Sequence, residues 1–77
     1  MNLTELQKDK LSAYIDASLV GELTDARTEH TQSSFLHVYA PKLSSAILAW
    51  SRKEKLSLLP AETTSYAREW LQNFYNS

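Results

Sequence analysis

Between Pro60 and Tyr75 an aromatic residue returns at every fourth position, Tyr66, Trp70 and Phe74, with Ala67, Leu71 and Tyr75 beside them. On a helix of about 3.6 residues per turn, that spacing gathers all six side chains into one broad apolar stripe. Arg68, Glu69, Gln72 and Asn73 fall on the opposite face, so the helix is amphipathic rather than wholly buried. Half of the chain's aromatic residues lie on this segment, and aromatic side chains bury more area than any others. The stripe must therefore pack against something, and whether that is the chain's own core or a partner is the functional question.

A chain of 77 residues forms one domain at most and sits near the lower limit for an independent core. Its 43% apolar and 22% charged content is that of a globular protein, and one glycine with two prolines leaves little turn chemistry for a sheet. We therefore expect an all-α fold, a small bundle of three to four helices spanning residues 1–77. The longest nearly apolar run, Ala46 to Trp50, is far too short to cross a bilayer. The first residues, with Glu5 and Asp9, do not resemble a secretory signal, so no membrane is expected and a cytoplasmic location is. The absence of cysteine excludes disulfides and thiolate metal sites.

The net charge of −1 hides an uneven distribution. Residues 1–30 carry more Asp and Glu than Lys and Arg, whereas Lys42, Arg52, Lys53 and Lys55 make the middle basic. Domains that bind nucleic acid usually carry a clear basic excess to neutralise phosphates. Nucleic acid is thus not the expected partner.

The first helical block runs from about Asn2 to Val20, capped either by Asn2 with Glu5 or by Thr4 with Gln7, both at capping-box spacing. Leu3, Leu11, Tyr14, Ile15 and Leu19 share its apolar face, and Gly21 is a natural stop. From Glu22 to Ser34 only Leu23 and Ala26 are apolar, which predicts a short, weakly packed helix with Thr24 as a possible cap. From Phe35 to about Lys55, Leu36, Tyr39, Leu43, Ala46, Ile47 and Trp50 occupy one face, with Phe35 at its margin. The stripe stays in phase through Pro41, so that residue either kinks a continuous helix or begins a fresh one. Leu56, Leu58 and Leu59 form an apolar connector to Pro60, which opens the last helix at a position where proline is tolerated.

No residue pattern points to catalysis, a cofactor or a metal. His30 and His37 stand two helical turns apart with no third ligand at metal spacing, and read as surface or boundary residues. The serines lie in no glycine-rich elbow, and the carboxylates are scattered over polar faces. Ala17 and Gly21 have the separation seen around the turn of a helix-turn-helix. The helix that follows fails that motif, because Glu22, Arg27 and His30 stand where apolar residues are needed and only Arg27 is a cationic base reader.

The run Leu11-Ser12-Ala13-Tyr14-Ile15-Asp16 resembles the opening of the sigma-binding N-terminal domain of bacterial anti-sigma factors. Leu19, Glu22 and His30 fall, without a gap, where that family has a leucine, an acidic residue and a zinc-binding histidine. Ser34 and His37 occupy the cysteine positions of its His-x3-Cys-x2-Cys cluster, so the similarity is to the zinc-free branch. The chain departs from the family in lacking a glycine after Asp16 and in placing polar Arg27 and Thr31 where the second helix is usually apolar. The resemblance covers residues 11–37 and implies a helical clamp that occludes the polymerase-binding surface of a sigma factor.

Leu6, Val20, Val38 and Leu48 project off the main stripes, which together with the leucine-rich connector gives more apolar positions than one small core needs. The sequence thus predicts a non-enzymatic protein-binding regulator, an inhibitor of transcription if the partner is a sigma factor or an RNA polymerase subunit. Tyr14, Leu19, Phe35, Tyr39, Trp50, Trp70 and Tyr75 are the expected partner-binding residues. Two other readings stand beside it: a DNA-binding regulator using Arg52, Lys53 and Lys55, and a homo-oligomeric structural or adaptor protein, a homodimer for instance, with Trp50, Trp70 and Tyr75 at the subunit contact.

Overall fold

The computed structural model describes residues 3–77, and helix α1 (Glu5–Ser18) opens it. Thr4 is its N-cap: the Thr4 amide donates to Gln7 Oε1 at 2.9 Å, and the Gln7 amide donates to Thr4 Oγ1 at 3.2 Å. This is the Thr4/Gln7 capping box, whereas the Asn2 alternative lies outside the described residues. Leu11 and Ile15 are fully buried, with Leu3, Tyr14 and Leu19 packed against them at partial exposure.

Gly21 does not end this helix. The chain breaks at Leu19, whose φ of −128° and ψ of −17° leave the helical region, and α2 (Val20–Glu29) begins at once. Gly21 is exposed inside α2, without the positive φ that a glycine cap would use. A single non-helical residue suffices because Leu11 and Ile15 on one side of the break and Leu23 and Ala26 on the other must all reach one core. As the polar sequence implies, α2 buries only Leu23 and Ala26, and no side chain caps it. Thr24 lies within α2, so it is not a cap.

The polar segment is divided between two helices. α3 (Gln32–Lys53) starts before Phe35, on an N-cap at Thr31 whose Oγ1 accepts the Ser34 amide at 3.3 Å. It runs through Pro41 as one helix. Pro41 is exposed, so the hydrogen bond it cannot donate is lost on the wet side, where water can replace it. Phe35 is not marginal but fully buried, along with Ala40, Leu43, Ser44, Ile47, Trp50 and Ser51.

Small residues explain the shift of the buried face. α4 (Pro60–Tyr75) buries Thr63, Ala67 and Leu71, and Ser44 Oγ lies 2.8 Å from Thr63 Oγ1 across the α3–α4 contact. Thr63 also donates to the Pro60 carbonyl at 2.9 Å, and Ser51 donates to the Leu48 carbonyl at 2.7 Å. Among the described residues no buried side-chain polar atom lacks a partner, so hydrogen bonds offset the cost of desolvating these hydroxyls. Ala40 and Ser44 therefore act as interior residues, while Leu36 and Ala46 are only half-buried.

α3 ends in a Schellman motif: the Leu56 amide reaches the Ser51 carbonyl at 2.7 Å and the Lys55 amide reaches that of Arg52 at 3.1 Å. The motif places Lys55 at a φ of 59°, a left-handed conformation that glycine adopts more easily. Leu56 and Leu58 tuck against the core, Leu59 is 62% exposed, and Pro60 takes the first position of α4. The result is an all-α bundle of four helices, with no strand among the described residues.

Candidate functional site

The seven residues expected at a partner surface divide into two buried and five half-buried ones. Phe35 and Trp50 are 0% and 5% exposed, so they belong to the core and offer nothing to a partner of the folded chain. The size that suits an aromatic residue to an interface suits it equally to an interior, and here α3 turns both side chains inward. Tyr39 and Tyr75 are half-buried around Phe35, with ring centroids 5.4 and 5.6 Å from it. Tyr75 also donates its hydroxyl to the His30 carbonyl at 3.3 Å, tying the end of α4 to the α2–α3 junction. Tyr14 and Leu19 are half-buried at the end of α1.

Trp70 joins this aromatic chain through Phe74, which stacks on it with centroids 5.2 Å apart and planes 11° from parallel. Phe74 in turn stacks on Phe35 at 6.3 Å and 20°. The indole is thus anchored on its inner side to the core while its residue as a whole stays half-buried. Phe74 was legible as a member of the α4 stripe; its role as the link from Trp70 to the interior depends on the α3–α4 packing.

Arg27 is not free to read bases. Its Nη1 donates to the carbonyls of Phe74 and Ser77 at 3.2 and 3.3 Å, and its guanidinium lies 5.4 Å from the centroid of the Phe74 ring. The side chain instead fastens α2 to the last turn of α4, combining charge-assisted hydrogen bonds with a cation–π contact. His30 is half-buried, with Nδ1 3.0 Å from Ser34 Oγ and its ring edge-on to Tyr39. At two positions of the metal-cluster pattern, then, a hydrogen bond joins α2 to α3. His37, at the third, is exposed beside Pro41 and Arg68. Among the described residues no group of three His, Cys, Asp or Glu side chains converges, and no helix is long and apolar enough to cross a membrane.

One flank of α4 remains open. A cleft of about 450 Å³ lies between Leu3 and Lys8 of the N-terminal region and Glu62, Ser65, Tyr66 and Glu69 of α4. Next to it, sharing Tyr66 and Glu69, is a hollow of about 150 Å³ completed by Trp70 and Asn73. All four residues of this hollow come from α4, so no other helix walls it in. Burial pushes the Tyr66 hydroxyl above its ordinary pKa of 10.0, and the Glu69 carboxylate adds to the rise. The flank therefore offers two large half-buried rings and nearby carboxylates. Compared with known proteins, the chain matches no protein-family model, no curated protein and no solved structure.

Proposed function

We propose that this chain is a non-enzymatic regulator that works by binding another protein through the Tyr66–Trp70 flank of α4. The observation that supports it is the hollow lined by α4 alone, in which the Tyr66 and Trp70 rings are half-buried beside Glu69 and Asn73. Large amphipathic rings fixed on a rigid element are the side chains that contribute most at protein interfaces, because they bury much area and lose little conformational freedom. The specific form of the proposal is sequestration of a sigma factor or an RNA polymerase subunit in the cytoplasm. Its support is the resemblance of residues 11–37 to anti-sigma domains, with Leu11 and Ile15 in the core and Tyr14 and Leu19 half-exposed next to them.

Affinity purification of the tagged chain followed by mass spectrometry tests both levels. Recovery of a sigma factor or polymerase subunit by the wild type, and its loss with Trp70→Ala while circular dichroism stays helical, is the expected result. Recovery of an unrelated protein that also depends on Trp70 removes the transcriptional form and leaves protein binding in place. Sedimentation that shows a concentration-dependent dimer abolished by Trp70→Ala makes a second copy of the chain the partner instead. Trp50 plays no part in that version, since its side chain is interior.

A further inference from the structure

The two edges of α4 differ in charge. Glu62 and Glu69 stand on the side of Tyr66 and Trp70, whereas Arg68 lies across the helix in a separate cleft with His37, Pro41 and Thr64. Among the described residues neither Glu62 nor Glu69 has a cation within ion-pairing distance, because the ion pairs there are Lys8 with Glu5 and Lys42 with Glu22. Lys8 lines the wider cleft together with Glu62 and Glu69, whereas the four residues of the smaller hollow, Tyr66, Glu69, Trp70 and Asn73, include a carboxylate and no basic group.

A planar cation meets complementary groups there twice over. A guanidinium can lie against the indole of Trp70 or the phenol of Tyr66 while its edge donates paired hydrogen bonds to the Glu69 carboxylate. The same carboxylates disfavour a phosphate backbone or an anionic lipid surface. Resting on the protein-binding reading above, we propose that the segment seated on this flank is an arginine-bearing apolar stretch of the partner protein, with arginine in the hollow at Glu69 and apolar side chains along Tyr66 and Trp70.

Two labelled amphipathic helical peptides, identical at their apolar positions and carrying either arginine or glutamate at the others, decide the matter by fluorescence anisotropy. The arginine peptide is expected to bind about tenfold or more tightly than the glutamate peptide, with an affinity that falls as salt is raised. Glu69→Lys, at an exposed position that leaves the core untouched, is expected to remove that preference while the far-ultraviolet spectrum is unchanged. Equal binding of the two peptides, preference for the glutamate peptide, or an arginine preference that survives Glu69→Lys overturns the charge assignment. The absence of binding by either peptide overturns it as well. The protein-binding reading is judged separately, by whether Trp70→Ala releases the protein recovered in the affinity purification.

Discussion

The pair α3–α4 and the helix α2 are held in place by different physics. α3 and α4 supply Phe35, Ala40, Leu43, Ile47, Trp50, Ala67 and Leu71 to the core and close a hydrogen-bonded hydroxyl contact between Ser44 and Thr63. α2 supplies Leu23 and Ala26, and is otherwise attached by polar tethers: Arg27 to the Phe74 and Ser77 carbonyls, and Glu22 to Lys42. The Glu22–Lys42 pair is about half exposed, so solvent screens it and it contributes little. Apolar burial is not weakened by ionic screening, whereas charged tethers at the surface are. α2 is therefore the part of the bundle expected to open first, with the pair that carries the aromatic flank still in place.

The largest test of this contrast is Phe35→Ala, which empties the centre of the dense half and is expected to destabilise the protein by about 3 to 5 kcal/mol in urea unfolding. Leu23→Ala should cost about 2 to 4 kcal/mol, with a different signature. Hydrogen exchange should quicken in α2 before it does in α3 and α4, and uniform acceleration across all helices would break the two-part description.

Trp70→Ala falls below both. A fully buried indole would make it worth about 3 to 5 kcal/mol; with Trp70 only half-buried, about 1 to 3 kcal/mol is expected from thermal or urea denaturation. Loss of partner binding beyond what that destabilisation explains would mark the ring as an interface residue. Gly21→Ala is smaller and of opposite sign. Gly21 is an exposed residue of α2 around which an added Cβ meets nothing within 4 Å, so the substitution should stabilise α2 by up to about 1 kcal/mol. A rise in melting temperature together with slower exchange in α2 is the result to look for.

The smallest effect is alkaline. The Tyr66 pKa is raised above 10.0, chiefly by burial, and that of Lys42 above 10.5, chiefly by its hydrogen bond to Glu22. In both cases the folded chain holds its proton more tightly than the unfolded chain. Each contribution is thus fully present below the unfolded pKa and is lost as pH rises through the folded value. The urea midpoint should decline above about pH 10, and Tyr66→Phe should lessen that decline. A midpoint that stays flat in this range would show that neither group is linked to folding.

Much of the fold was legible because helical periodicity is a local property. The α4 stripe, the Thr4/Gln7 box, the thin burial of α2 and the uninterrupted phase through Pro41 all follow from spacings within one helix. The helix boundaries were less so. Gly21 read as a stop and Thr24 as a cap of the second helix, but Leu19 holds both places and Thr31 caps α3, because the direction of each segment is set by where its apolar residues find a common core. The candidate site was the least legible. Phe35 and Trp50 carry the same residue types and the same periodic pattern as Trp70, yet they are interior and Trp70 is not.

By itself, the order of residues determined that this protein is helical and which stripe α1 and α4 would turn inward. Only the tertiary structure decided which aromatic residues were consumed by the core. Packing α3 on α4 through Ala40, Ser44, Thr63 and Ala67 covers Phe35 and Trp50 and leaves Tyr66 and Trp70 on the uncovered flank beside Glu69. Periodicity fixes a face relative to its own helix axis; which part of that face a neighbour covers depends on contacts between residues far apart in the chain.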